Sequence, residues 1–356
     1  MYDYAESSGY MIPEAAPNIV LQANAPGIGI FMLLVSVLGA PEFYLLVIPL
    51  VLWCYNKSLG LRLLLLLSIS TAANVILKLF FHAPRPYWVN AEVKAFSSEP
   101  TFGMPSAAAQ ISLTFLGYIS TWFKKRSIWL VSIVLIILVG ISRMYLGVHF
   151  LADILTGWIF ALIILLVFLR YEKAAALWLS QKHPGTRILL ALLASCMIII
   201  LAQVVLDGLG TWQVPAGWST LAFLQTNATI DPFSLRDVMM AAGLLFGASA
   251  GAVISATYIP YVVDGSRSRK VIRYLSGIII LLFIWAALSA LTKSPDLVGY
   301  GLTYLRAAVI GVWITAGAPF LFCKTGLAKR GPDLPRIAIE CGIISWPAGC
   351  SPRASQ

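Results

Sequence analysis

The stretch from Ser142 to Asp153, SRMYLGVHFLAD, joins two strongly apolar segments and places an Arg, a His and an Asp at their junction. Ionisable groups at a membrane boundary are costly to keep, so they usually mark a functional site. His149 and Asp153 are four residues apart, and a helix that begins near Phe150 would place both on one face. A carboxylate that holds one imidazole nitrogen leaves the other nitrogen free to act as a nucleophile or a base.

The composition around this stretch is that of a polytopic membrane protein. Of the 356 residues, 59% are hydrophobic and 11% are charged, whereas a soluble domain carries about a quarter charged residues. The net charge of +10 comes from basic residues in short clusters between apolar runs. This pattern favours the positive-inside rule over nucleic-acid binding. The five Cys lack metal-ligand or paired spacing, so we interpret them as small apolar residues and tail thiols.

Hydropathy predicts an all-α polytopic membrane protein with about nine transmembrane helices. We interpret residues 1–40 as an exposed N-terminal arm followed by a short apolar segment that is interfacial or re-entrant. Residues 41–170 form the predicted helical-bundle core, 171–323 a four-span C-terminal extension, and 324–356 a cytoplasmic, disordered tail. The predicted spans lie at about 41–55, 63–81, 106–123, 128–145, 150–169, 188–206, 236–260, 271–292 and 298–322.

The basic loops predict which side of the membrane each connection faces. Clusters such as Lys124–Arg126 and Arg267–Arg273 alternate with loops that carry fewer basic residues. By the positive-inside rule the basic loops face the cytoplasm, and so does the C-terminus. The loops at 82–104 and 146–149 then face the periplasm, the extracellular space or an organelle lumen, on the same side as each other.

Two further clusters lie on the same predicted side as His149. In KLFFHAPRP, Lys78 offers a point charge and Arg85 a planar fork of donors suited to phosphate oxygens, although interfacial anchoring would explain both equally well. In GMPSAAAQ, Ser106 begins a predicted span, where its hydroxyl and free N–H groups would make an anion site. An ordinary Ser/Pro helix start explains Ser106 too. Arg143 would add a third cation to the same place.

Taken in chain order, the patterns K-x6-R-P, P-S-x-x and S-R-x5-H-x3-D resemble the three signature motifs of the type 2 phosphatidic acid phosphatase superfamily. That superfamily includes lipid phosphate phosphatases, undecaprenyl diphosphate phosphatases, glucose-6-phosphatase and vanadium haloperoxidases. The first and third motifs match fully, and the resemblance covers about residues 40–170. The nine predicted spans and the sequence PRPYW in the first motif are also similar to the glucose-6-phosphatase branch.

The resemblance implies a role for each motif residue. His149 would attack phosphorus and form a phosphohistidine, which water then hydrolyses, while Asp153 would fix the tautomer of the imidazole. No metal or other cofactor would be required, because cationic side chains would neutralise the charge of the phosphoryl group. The residues that would bind the substrate phosphate are Lys78, Arg85, Ser106, the amide of Ala107, and Arg143.

One position departs from the pattern of the superfamily. The second motif normally ends in a His that protonates the leaving oxygen, and here that position is Ala108. General acid catalysis contributes about a hundred- to ten-thousand-fold, so this chain is expected to be severely impaired. It is either a natural pseudoenzyme or a chain whose His was deliberately replaced. We favour deliberate replacement, because every other motif residue is intact and Ala is the usual truncation.

The sequence therefore predicts an integral-membrane, metal-independent phosphatase that acts on a phosphate monoester or a terminal pyrophosphate. A site at the membrane interface suits an amphiphilic substrate, so a phosphorylated lipid is the expected partner, together with membrane lipids and no nucleic acid. A sugar-phosphate phosphatase of the glucose-6-phosphatase type is the main alternative. A non-catalytic lipid-phosphate binder or transporter is the alternative from another class.

Overall fold

The computed structural model describes residues 12–289 and 296–331, which form helices and one isolated antiparallel bridge between Tyr261 and Arg330. Two π-helical turns, Val51–Tyr55 and Trp313–Gly317, continue α3 and α13. The helices are α1 (Ile12–Asn24), α2 (Gly29–Val37), α3 (Pro41–Leu50), α4 (Lys57–Phe81), α5 (Pro86–Val89), α6 (Ala107–Phe123), α7 (Arg126–Tyr145), α8 (Leu151–Ser180), α9 (Pro184–Gly208), α10 (Ala216–Thr226), α11 (Arg236–Tyr258), α12 (Arg267–Ser289), α13 (Leu297–Val312) and α14 (Ala318–Lys324).

The all-α polytopic fold predicted from the sequence is confirmed, but the count of about nine spans is not. Within the described ranges, seven helices are long and apolar enough to cross a membrane, or up to eight if the bent N-terminal pair is one span. Two segments predicted to span form shorter helices, Pro41–Tyr55 and the 17-residue α6. A helix needs about 20 residues to cross the hydrocarbon core, so these two are short for a straight span.

The N-terminal segment differs from the exposed arm that its polar composition predicted. Its residues from Ile12 onward form α1, and the side chain of Asn18 is fully buried. Asn18 donates from Nδ2 to the carbonyl oxygens of Met144 (2.8 Å) and His149 (3.0 Å). The polar side chain is inside because it satisfies backbone groups of the turn after α7. Residues 1–11 of the predicted arm lie outside the described residues.

The predicted core is organised around α6, which packs against α4, α7 and α8. Asn74 on α4 donates to Gln110 Oε1 on α6 at 2.9 Å, and Gln110 donates to the Ser70 carbonyl at 2.8 Å. Asn74 also reaches the Pro105 carbonyl at 3.2 Å. Hydrogen bonds between helices satisfy polar side chains inside an apolar bundle and fix the register of the two helices. They place the start of α6 beside the end of α4.

The C-terminal extension is built on α11, which packs against α13, α9 and the core helix α4. Gly243 and Gly247 lie on the face of α11 that meets α13. A Cβ added to Gly247 would collide with the carbonyl oxygen of Ala308, so only glycine permits this close approach. The small-residue spacing at these positions indicates close helix packing, and the structure has that packing.

Helix α8 extends further than its sequence predicted, since it ends at Ser180 rather than near Leu169. Its added turns carry Glu172, which accepts hydrogen bonds from the hydroxyl of Tyr118 (2.8 Å) and from Arg62 Nη1 (3.4 Å). These contacts hold α8 against α6 and α4. The segment therefore continues as a helix beyond the end of the predicted span.

The start of the predicted disordered tail is ordered. Arg273 donates from Nη2 to the carbonyl of Leu327 at 2.8 Å, and Ala328 N donates to the Phe322 carbonyl at 2.9 Å. Gly331 N donates to the Pro260 carbonyl at 2.8 Å. The tail is fixed here because its backbone groups find partners in α12, in α14 and just after α11. Residues 332–356, the rest of the predicted tail, lie outside the described residues.

Candidate active site

The motif residues predicted from the sequence come together at one end of the core bundle. Lys78 lies in the last turn of α4, Arg143 in the last turn of α7, and Ser106 immediately before α6. His149 lies just before α8 and Asp153 in its first turn. The backbone N–H of Ser106 donates to the carbonyl of Asp153 at 2.9 Å, which joins the second motif to the third.

His149 and Asp153 form the hydrogen-bonded pair that their spacing predicted. The distance from His149 Nδ1 to Asp153 Oδ2 is 3.2 Å, and both side chains are almost completely buried. The same carboxylate oxygen accepts from the N–H of Phe150 at 2.9 Å, which caps the start of α8. The carboxylate therefore holds the Nδ1 side of the ring and leaves Nε2 facing the rest of the site.

Arg85 lies against the other side of the His149 ring. Its Nη1 is 3.2 Å from His149 Nε2 and donates to the Val148 carbonyl at 2.9 Å. Its Nε donates to the Thr101 carbonyl at 2.6 Å, and its Nη2 to the Phe102 carbonyl at 3.0 Å. With the Nδ1 proton directed at Asp153, Nε2 carries a lone pair that can accept from Arg85. The fully buried guanidinium thus connects the first motif to the third and to the loop that leads into the second.

The imidazole of His149 is held in its neutral form. Burial, and after it the positive charges of Arg85, Arg143 and Lys78, lower the pKa of His149 well below its usual value. A neutral ring near pH 7 keeps the Nε2 lone pair available, as nucleophilic attack requires. The site therefore combines an unprotonated Nε2, which Arg85 faces in this structure, with a surrounding positive charge.

Two polar groups of the site are buried and unsatisfied within the part of the chain that the structure describes. These are the Nε of Arg143 and the hydroxyl of Ser106. Arg143 otherwise donates from Nη1 to the Ser36 hydroxyl at 2.8 Å. Buried donors without a partner carry an energetic cost, and an oxyanion bound beside them would remove it. Both groups belong to the set for which the sequence predicted phosphate binding.

Lys78 and Arg85 converge on a third residue, Thr101, which the sequence analysis did not single out. The Nζ of Lys78 donates to the Thr101 hydroxyl at 2.9 Å. Thr101 lies between the first and second motifs and has no motif of its own. Its contacts fix the loop that leads into the second motif, and only its position in that loop could have indicated this role.

Glu99 is a charged site residue that no sequence motif indicated. Its carboxylate forms an ion pair with Arg143, and its Oε2 is 3.9 Å from Arg85 Nη2. Burial raises the pKa of the Glu99 carboxyl, but Arg143, Arg85 and Lys78 together outweigh burial and lower the pKa to about 2. The side chain is therefore ionised at neutral pH, so it is an anion and not a proton donor in this state.

Ala108 lies in the first turn of α6, two residues after Ser106. Its methyl group packs in an apolar cluster with Val35 and Val139. A Cβ added to Gly39 would lie 2.5 Å from the Cβ of Ala108, so the end of α2 approaches this residue closely. The position that carries a His in the resembled motif is thus occupied here by a packed methyl group.

The C-terminal extension covers the loops that form the site. The N–H of Asp231 donates to the carbonyl of Pro100 at 2.9 Å. Gln225 in α10 accepts from the N–H of Ala95 at 3.1 Å. The ring of Trp218, also in α10, packs against Trp88 with ring centroids 6.3 Å apart. The extension therefore supports the segment that carries Glu99 and Thr101.

Asn18→Ala is expected to lower the free energy of unfolding by about 1–3 kcal/mol, because it removes a buried side-chain donor from the carbonyls of His149 and Met144, the second of which keeps the N–H of Gly147. Thermal and denaturant unfolding of the detergent-solubilised chain would measure the change. Asn24→Ala, at an exposed position of the same helix, is the matched control. Equal stability of the two variants would contradict the account of α1 as a support for the third motif.

Comparisons with known proteins agree on one family. The model of the PAP2 superfamily matches residues 59–177, and the model described as "PAP2 superfamily phosphatase, transmembrane extension" matches residues 239–330. The first range holds all three motifs, and the second holds most of α11–α14.

Two curated relatives match part of the chain. Phosphatidylglycerophosphatase B of Bacillus subtilis (strain 168) is 31% identical over 166 residues, which are 44% of this chain and 80% of that protein. A protein of Dictyostelium discoideum described as "Probable sphingosine-1-phosphate phosphatase" is 32% identical over 144 residues. That match spans 36% of this chain and only about a third (34%) of the Dictyostelium protein.

One solved structure also matches. It is the crystal structure of the first transmembrane PAP2 type phosphatidylglycerolphosphate phosphatase from Bacillus subtilis, at 21% sequence identity and a TM-score of 0.38. The match covers 47% of this chain and 90% of that one.

Proposed function

Because this chain belongs to the PAP2 superfamily, we propose that it is an integral-membrane phosphatase that hydrolyses a phosphate monoester or a terminal pyrophosphate of a lipid. The site faces the non-cytoplasmic side of the membrane, as the alternation of basic loops indicates. It works without a metal, because Lys78, Arg85 and Arg143 supply the positive charge that a phosphoryl group needs.

The observation that carries this proposal is that His149 is neutral, is oriented by Asp153 and is surrounded by three cations. These cations are Lys78, Arg85 and Arg143. A neutral imidazole with an unprotonated Nε2 is a nucleophile, and the cations stabilise the charge of a phosphoryl group in its transition state. The unsatisfied Nε of Arg143 and hydroxyl of Ser106 are donors for its oxygens.

The proposed reaction has two steps. The Nε2 lone pair of His149 forms a bond to phosphorus while the bond from phosphorus to the ester oxygen breaks, and the leaving oxygen departs with that electron pair. Water then attacks phosphorus while the bond from phosphorus to Nε2 breaks, which releases inorganic phosphate and restores the imidazole. One proton of the water stays on the phosphate, and the other balances the proton that the alkoxide takes from solvent. Asp153 stabilises the positive charge that the ring carries in between. Ala108 offers no proton to the leaving oxygen, so departure of an alkoxide is slow.

A lipid is the proposed substrate class rather than a sugar phosphate. The two curated relatives have names that refer to the lipid phosphates phosphatidylglycerophosphate and sphingosine 1-phosphate. The site also lies at the end of apolar, membrane-length helices, where an acyl or alkyl chain can stay in the bilayer. Phosphate release from a lipid phosphate and from a sugar phosphate would be measured on the same detergent preparation. The substrate class that releases phosphate faster would decide between the two alternatives.

Ala108 favours a second candidate function, the binding of a lipid phosphate without turnover. A natural pseudoenzyme would keep the phosphate-binding residues and lose only the proton donor, which is the pattern of this sequence. A deliberate replacement would leave the same pattern. The variant Ala108→His separates the two cases. A silenced enzyme would regain turnover in this variant, whereas a binder would not.

The phosphate site itself is tested by Arg143→Ala. Loss of hydrogen bonds to a charged ligand is expected to weaken the binding of inorganic phosphate by about 10- to 100-fold. Isothermal titration of the full chain in detergent would measure the affinity. Arg126→Ala is the matched control, because Arg126 lies at the opposite, exposed end of the same helix. Unchanged affinity in Arg143→Ala would overturn the assignment of this cluster as a phosphate site.

A further inference from the structure

We propose that Glu99 and the phosphate group bind Arg143 in turn: the carboxylate yields this guanidinium to the substrate and takes it back as inorganic phosphate leaves. Glu99 is then a tethered competitor that weakens the binding of the product. The inference rests on the proposed function, since it assumes that the cluster around His149 binds phosphate. It adds a residue that belongs to none of the three motifs and gives it a role in product release.

The guanidinium of Arg143 has one edge that suits a phosphate. Its Nε and Nη2 lie side by side on this edge and can donate two parallel hydrogen bonds to one phosphoryl group. The Nε is buried and has no partner within the described residues, and the Nη2 donates to the Glu99 carboxylate. The remaining nitrogen, Nη1, donates to the Ser36 hydroxyl at 2.8 Å. A phosphate that binds this edge therefore has to replace Glu99 but not Ser36.

Arg85 uses its donors differently. Each of its three nitrogens donates to a backbone carbonyl, and the three acceptors belong to Thr101, Val148 and Phe102. Arg85 is therefore engaged with the protein on every side, whereas Arg143 has a buried donor without a partner in the part of the chain that the structure describes. The exchange between carboxylate and phosphate is decided at Arg143.

Glu99 competes as an anion, as the ligand does. Its carboxylate is ionised at neutral pH, because the cations around it outweigh burial and lower its pKa to about 2. Protonation therefore does not release Arg143 near pH 7, and a phosphate gains the guanidinium only by exchange with the carboxylate. The exchange replaces one anion by another, so the buried guanidinium does not pass through a costly unpaired state.

The displaced carboxylate stays close to the site. The backbone of Glu99 is held by one side chain, because its N–H donates to the Tyr87 hydroxyl at 3.1 Å and its carbonyl accepts from that hydroxyl at 2.9 Å. The side chain is 31% exposed, so rotation about its own bonds takes the carboxylate into water and back. A tethered group competes at a high effective concentration, which the tether sets.

The consequence is weaker binding of every phosphate that uses Arg143, the product included. Binding energy that substrate and transition state share does not accelerate the chemical step, whereas slow product release limits many enzymes. A carboxylate that returns to Arg143 as phosphate departs lowers the affinity for the product. The cluster thereby keeps its cations for phosphoryl transfer without retaining inorganic phosphate.

A purely structural Glu99 would have the opposite effect. If its carboxylate only fixed the orientation of Arg143, its removal would loosen the guanidinium and weaken phosphate binding. Removal of a competitor strengthens binding instead. The sign of the change in affinity therefore distinguishes the two roles.

Isothermal titration of inorganic phosphate into the full chain in detergent measures this sign. Glu99→Gln is expected to bind phosphate about tenfold more tightly than the unaltered chain, because a neutral amide competes less well than a carboxylate for the guanidinium. Glu99→Asp keeps the charge but shortens the side chain by one methylene group, so an intermediate affinity is expected. Unchanged or weaker binding in either variant would overturn the inference.

Two controls isolate competition from other effects. Glu92→Gln removes a carboxylate from an exposed position of the same loop and should leave the affinity unchanged. Ser36→Ala removes the other partner of the Arg143 guanidinium without removing a charge, so it should not strengthen binding. A gain in either control as large as that in Glu99→Gln would overturn the inference. Absence of phosphate binding in the unaltered chain and in every variant would instead overturn the proposed function.

Discussion

Ala108→His is expected to raise the hydrolysis of an alkyl phosphate by about a hundred- to ten-thousand-fold. An alkoxide is a poor leaving group, and an imidazolium at this position would protonate it as the ester bond breaks. The rest of the site already has the arrangement that such an acid needs, with His149 oriented by Asp153 and surrounded by cations. Release of inorganic phosphate from a long-chain phosphate by purified, detergent-solubilised protein would measure the gain.

The substitution also adds volume to a packed position. Val35, Val139 and Gly39 lie around the methyl group of Ala108, so a larger side chain has to find room among them. Ala108→Asn is the matched control, because it adds polar volume without an acidic proton of suitable pKa, and it should show no gain. A gain of similar size with Asn would mean that packing, rather than proton donation, limits the unaltered chain.

An activated aryl phosphate separates the two causes further. A nitrophenolate leaves without protonation, so the unaltered chain should hydrolyse this ester at a rate close to that of Ala108→His. A large difference between the two proteins on the aryl ester would contradict the account of Ala108 as a missing acid. No hydrolysis of either ester by either protein would favour the non-catalytic binder.

Sequence patterns predicted the parts of this protein that depend on short spacings. The four-residue separation of His149 and Asp153 is one helical turn, and the structure forms their hydrogen bond there. Gly243 and Gly247 repeat at the same spacing and permit the close approach of α11 and α13. For the glycines the periodicity of a helix decides which side chains share a face, whereas His149 lies just before α8 and meets Asp153 in its first turn.

The parts that the sequence did not predict depend on contacts between distant segments. Asn18 is polar and near the N-terminus, so its composition predicted an exposed side chain. It is buried instead, because it binds the carbonyl of His149, which is 131 residues away in the sequence. Glu99 has no motif, and its role follows from Arg143, which another helix brings to it. The start of the tail is Gly-rich, but Leu327 finds the buried guanidinium of Arg273. Composition alone cannot show such partners.

The count of spans illustrates a different limit. Hydropathy identified apolar segments correctly, but it does not give the length of the helix that each segment forms. Residues 41–55 and α6 are apolar and helical, yet shorter than the seven longest apolar helices. Residue-level roles in the motifs came from the resemblance to the superfamily and stay predictions until chemistry on the protein tests them.

The central claim is that His149 is the nucleophile, and a covalent intermediate on its Nε2 tests it most directly. The chain is incubated with a radiolabelled, activated aryl phosphate, quenched with denaturant at alkaline pH, and digested for mass spectrometry. The account predicts one acid-labile phosphoryl group on the peptide that contains His149, and no label in His149→Gln. Label on another residue such as Ser106, or hydrolysis that persists in His149→Gln, would contradict it.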